Sequence, residues 1–136
     1  LKTAEKKFAP KTIGFIVNPV AGMGGAVGLK GTDGKAILSQ AIALGAKPVA
    51  TQRAETFLLE LTHSKELLSF IVGACDMGQA QAEKCGYACK VVGENKKETT
   101  GQDTQNVAKK IVEEGVDLLV FCGGDGTSRD ILKAVE

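Results

Sequence analysis

Short apolar runs alternate with amphipathic stretches along this chain, and that alternation constrains its fold more than any other feature. Residues 12–17 (Thr-Ile-Gly-Phe-Ile-Val), 67–72, 89–92 and 117–122 are rich in β-branched and aromatic side chains and read as strands. The first has no clean polar–apolar alternation, as expected of a strand covered on both faces. Between the runs lie helical stripes. Ile37, Leu38, Ala41 and Leu44 share one face of a helix over 35–44 that stops at Gly45. Residues 47–50 read as an extended link through Pro48, followed by a helix over 54–61 with Phe57, Leu58 and Leu61 inward. A weaker helical pattern covers 78–85. The clearest covers 103–114, where Val107, Ala108, Ile111 and Val112 face inward. A last helix, capped by Thr127 or Ser128, carries Ile131, Leu132 and Val135. This order predicts an α/β fold, a three-layer sandwich with a mostly parallel sheet and helices on both faces.

Length and charge narrow the function. A chain of 136 residues fits one domain. A net charge of +1, from 17 basic and 16 acidic residues, excludes a broad basic footprint for nucleic acid. No apolar run reaches the length of a membrane span, and no secretory pattern opens the chain. Cys75, Cys85, Cys89 and Cys122 have no CxxC spacing, so buried free thiols in a reducing, cytoplasmic compartment are expected. His63 is the single histidine and sits in a charged stretch, which leaves no Ser–His–Asp set. The helical stripe still runs at 131–136, so the chain reads as the front part of a longer protein.

Two glycine-rich segments carry the chemistry. Gly123-Gly124-Asp125-Gly126-Thr127 lies between a strand and a helix, at the strand's carboxyl end, where open α/β sheets bind ligands. Its glycines permit positive φ and bring backbone N–H groups close to a ligand, and the helix start offers further N–H groups to a phosphate. Asp125 is a carboxylate placed to hold Mg²⁺ or to orient an attacking hydroxyl; the plainer alternative is a tight turn that Asp125 caps. Residues 18–34 hold six glycines in seventeen positions and leave the carboxyl end of the first strand. Asn18 is placed to pin this turn and Pro19 to stiffen it, while Gly22, Gly24, Gly25 and Gly28 can wrap phosphate oxygens. The spacing matches neither a dinucleotide fingerprint nor a Walker A loop.

Weaker candidates have structural readings beside the functional ones. Asp33 caps the next helix or reaches the crevice. Met77-Gly78 starts a helix or lies on the same rim. Thr100, Asp103 and Thr104 fit a helix cap, and Lys30 and Lys35 are either solvated or phosphate-neutralising.

The Gly123–Thr127 segment resembles the signature shared by NAD kinases and by diacylglycerol and sphingosine kinases. The opening Ile16-Val17-Asn18-Pro19-Val20-Ala21-Gly22-Met23-Gly24-Gly25, with Val27 to Gly34, resembles the polyphosphate- or ATP-dependent NAD kinases of bacteria and archaea, a branch that includes the acetoin-catabolism protein X group. Pro48-Val49-Ala50, Arg53-Ala54, Met77-Gly78 and Thr100 with Asp103-Thr104 fit the same branch. The resemblance implies a Rossmann-like amino-terminal domain over 1–136, with a β-rich carboxyl-terminal domain in the full-length protein. It implies Asp125 as the catalytic carboxylate. It implies Asn18, Gly22, Gly24, Gly25, Gly123, Gly124, Gly126 and Thr127 as residues binding nucleotide or phosphate. The residue reading adds Gly28 and Asp33 to that set, with Arg129 and Lys30 as cationic helpers. The implied reaction uses Mg²⁺ and ATP or inorganic polyphosphate as donor, with NAD as acceptor. Its partners are small nucleotides rather than nucleic acid or membrane, and a homo-oligomer is expected in the full-length form. A kinase of a lipid or other small hydroxyl compound, and a non-catalytic nucleotide-binding protein, stand as alternatives.

Overall fold

A computed structural model describes residues 9–23 and 35–136. Four strands form one parallel sheet: β1 (Lys11–Val17), β2 (Leu68–Gly73), β3 (Cys89–Val92) and β4 (Leu118–Cys122), in spatial order β3-β2-β1-β4. The helices are α1 (Lys35–Ala43), α2 (Val49–Glu60), α3 (Gln79–Lys84), α4 (Gly101–Glu113) and α5 (Asp125–Val135), with 3₁₀ turns at Thr62–Leu67 and Cys75–Met77. The alternating α/β order expected from the sequence is the order observed. Among the described residues, no helix is long and apolar enough to cross a membrane.

The unbroken apolar run of β1 is explained by its position, because side chains of opposite parity feed two separate cores. Ile13, Phe15 and Val17 join Phe70 and Val72 under Ala50, Ala54 and Leu58 of α2 and Ala82 of α3. Phe15 stacks on Phe57, and the Tyr87 hydroxyl donates to the Leu58 carbonyl at 2.6 Å, which locks α2 to the turn after α3. On the other face Ile16 and Ile71 meet Val107, Ala108 and Ile111 of α4 and Ile131 of α5. Gly14 lies beneath α4, and a Cβ there would overlap the Ile111 Cγ2 methyl, so the missing side chain sets how closely helix and sheet approach.

Several boundaries differ from the expectation. The helix expected from residue 54 begins at Val49, with Pro48 as its N-cap residue, so Val49 and Ala50 are helical rather than extended. Its first turns bury only Ala50 and Ala54, too small to register as an apolar stripe. Leu44, Val112, Leu132 and Val135 lie on expected inward stripes yet are exposed. The four cysteines are free, as expected, but half-buried rather than buried.

Candidate active site

The strand order places a topological switch between β1 and β4. From β1 the chain moves out through β2 to β3, then returns to pair β4 with the other edge of β1. Loops leaving the carboxyl ends of two such strands diverge and open a crevice between them. Residues 18–23 leave β1 there, and residues 123–127 leave β4.

The two loops are joined. The Asn18 backbone N–H donates to the Cys122 carbonyl at 2.9 Å, extending the β1–β4 ladder by one residue. Its side-chain Oδ1 accepts from the Val20 N–H at 3.2 Å, the turn-pinning bond expected of an Asn before Pro. Its Nδ2 donates to the Thr127 hydroxyl at 3.0 Å. Asn18 therefore spends its side chain on positioning both loops. Gly22 follows at φ +80°, a conformation that favours glycine.

The second loop is built differently from the expectation. Helix α5 begins at Asp125, with Gly124 as a cap residue that supplies no side-chain bond. Neither Thr127 nor Ser128 caps it. Thr127 is the third residue of the helix, 3% exposed, and turned inward towards Asn18. None of Gly123, Gly124 and Gly126 has positive φ, so conformational freedom is not why glycine stands there. Gly123 is required by packing, since a Cβ would come within 2.6 Å of the Thr127 Cβ. Gly124 and Gly126 face open space, with no atom within 4 Å of a built Cβ. The fold needs neither of them bare.

Asp125 is exposed on the first turn of α5, where a carboxylate suits the positive helix end. From behind, Gln105 Nε2 donates to Asp130 Oδ1 at 3.0 Å and ties α5 to α4. Arg129 is exposed one turn beyond Asp125. Among the described residues there is no cluster of three metal-ligating side chains. A lone carboxylate of this kind fits a Mg²⁺ carried on substrate phosphates, which uses one or two protein carboxylates and keeps several waters.

Other candidates take structural roles. Thr100 and Asp103 form a reciprocal capping box at the start of α4, and Lys96 Nζ lies 2.6 Å from Asp103 Oδ1. The Lys96 ammonium, helped by Thr100, holds the Asp103 carboxyl below its ordinary range against the opposing effect of burial. A cavity of ≈ 110 Å³ lies beside this pair, lined by Gly93, Lys96, Asp103 and Asn106, but its buried carboxylate is already paired. Met77 is core, and Gly78 caps α3 at φ +136°, where a Cβ would strike the Phe15 carbonyl. Lys35 pairs with Glu98 at 2.9 Å in solvent. His63 is exposed on a 3₁₀ turn. Gly24, Gly25, Gly28, Lys30 and Asp33 lie outside the described residues.

Sequence reasoning passed over Arg53 as a cation. It stands one turn into α2, exposed, in a groove it lines with Val49, Gln52 and Thr56, and its guanidinium opposes the burial that raises the Cys122 thiol. The signal is Pro48, which marks the helix start one turn before Arg53.

Fold and site together define a doubly wound α/β domain whose candidate site occupies the switch point between its first and last strands. A family model, the ATP-NAD kinase N-terminal domain, matches residues 13–136. The chain belongs to that family of phosphotransferases. No curated protein and no solved structure matches it.

Proposed function

We propose that the full-length protein transfers a phosphoryl group from ATP or polyphosphate to the adenosine 2′-hydroxyl of NAD, forming NADP. One observation carries the reading. The two loops at the switch point are bonded through Asn18 and Thr127, and beside that bond stand two glycines, Gly124 and Gly126, that neither conformation nor packing requires. Bare backbone with no internal reason to be bare is what close approach of phosphate oxygens demands.

In this reading Asp125 orients the acceptor hydroxyl and takes its proton as the new P–O bond forms and the bond to the leaving phosphate breaks. Amides of the 123–127 loop and the start of α5 stabilise charge on the transferred group. A Mg²⁺ carried by the donor would neutralise its phosphate oxygens. Asn18 and Thr127 hold the loops in register and do not touch the reacting atoms. A β-rich second domain supplies the rest of the dinucleotide pocket.

The test is NADP formation by the full-length protein with NAD and either donor. Asp125→Asn is expected to lower turnover at least about a hundredfold with the fold retained, since a positioned acid–base group is typically worth that much. Activity on a lipid or another hydroxyl compound, with none on NAD, assigns the acceptor elsewhere.

A further inference from the structure

The crevice has a second wall. Helix α2 packs over β1 and β4 on the face that carries Phe15, Val17, Val120 and Cys122. Its first residue meets the loop that leaves β1, with the Val49 Cβ 3.9 Å from where a Gly22 Cβ would stand. The start of α2 therefore lies at the same carboxyl edge as the start of α5, but on the opposite face of the sheet, because α5 packs with Ile16 and Ile71 on the other side. A groove of ≈ 270 Å³ runs along α2 here, lined by Val49, Gln52, Arg53 and Thr56.

Arg53 is the cation of this wall. No carboxylate among the described residues pairs with it. It is exposed in the groove that begins at Val49, and its positive charge opposes the burial that raises the Cys122 thiol at the end of β4. Asp125 stands on one side of the switch point and Arg53 on the other. A hydroxyl to be activated belongs beside the carboxylate, and a chain of phosphates belongs beside the guanidinium, whose planar fork can bond two oxygens at once.

We propose that Arg53 binds the phosphate chain of the phosphoryl donor, across the crevice from Asp125. The assignment rests on the phosphotransfer reading and adds to it which wall takes the donor. Arg53 contacts the phosphates that ATP and inorganic polyphosphate share, not the nucleoside.

The experiment is calorimetric titration of the full-length protein with inorganic tripolyphosphate and, separately, with ATP, each with Mg²⁺. Arg53→Gln is expected to weaken both by about tenfold or more, the usual scale for a lost charge-assisted pair. Arg53→Lys is expected to recover part of the loss, and Lys109→Gln, which removes an exposed charge on α4, to change neither. Circular dichroism checks that each variant is folded. In turnover assays the donor KM rises at least about tenfold in Arg53→Gln, while that of the acceptor holds. Unchanged tripolyphosphate affinity in Arg53→Gln overturns the assignment. So does a loss confined to ATP, which would place Arg53 on the nucleoside, and so does a wild-type protein that binds no tripolyphosphate. Arg53-dependent tripolyphosphate binding without NADP formation keeps the assignment and removes the proposed acceptor.

Discussion

Asn18 Nδ2 donates to the hydroxyl of Thr127 over 3.0 Å, joining residues 109 positions apart at the carboxyl edge of the sheet. The bond lies between the loop after the first strand and the first turn of the last helix. It makes Asn18 a positioning residue, since its Oδ1 is engaged by the Val20 N–H. Asn18→Ala leaves that N–H and the Thr127 hydroxyl without their partner, at an expected cost of about 1–2 kcal/mol. A double-mutant cycle with Thr127→Val, read by urea denaturation, should return a coupling of about 1 kcal/mol. Additive losses would show that the two loops are held together by something else.

Gly126→Ala should separate fold from function. Gly126 is the second residue of α5, takes no positive φ, and has open space where the methyl would go. Alanine is the better helix former, so the variant should be more stable by about 0.5–1 kcal/mol. Under the proposed function the same methyl stands where phosphate oxygens approach, and turnover should fall by at least about tenfold. Thermal unfolding and NADP formation, measured on the same preparation, decide it. A stabilised and fully active variant would remove Gly126 from the site.

Asp103 gives the structure a pH-dependent prop. Its carboxyl titrates below the ordinary range because Lys96 and Thr100 favour the charged form. Its stabilisation is therefore complete above the unfolded carboxyl pKa of about 4 and is lost as pH falls through the lower folded value. At pH 7 Asp103→Ala is expected to lose about 1 kcal/mol through the broken capping box. Urea midpoints of wild type and variant should converge on acidification, and a gap that stays constant down to pH 2 would contradict the assignment.

Much of this fold can be read from periodicity, and the failures share a cause. The Ile13–Val17 run announced a strand covered twice, and two cores flank it. The start of α2 was hidden because Ala50 and Ala54, its buried residues, are too small to mark a face, while Pro48 carried the boundary. Leu132 and Val135 form a helical stripe, yet β4 is the edge strand and the described residues do not cover that side of α5. At the site, the meeting of the two glycine-rich segments followed from strand alternation alone. What did not follow was the role of each residue. Thr127 looked like a cap and is a buried anchor, because its partner lies at the other end of the chain. The glycines of 123–126 looked conformational. One is steric, and two have no internal reason at all.

The pairing of Ile13 with Leu118 has a consequence for assembly. Of the four strands the inner β1 is made before the others, and one of its flanks waits for β4 while roughly a hundred residues are made. Such distant closure is slow, because the loop entropy is lost before the contact repays it. The two loops thus meet only once β4 has docked on β1, and a nascent chain that stops short of β4 leaves one flank of its inner strand bare.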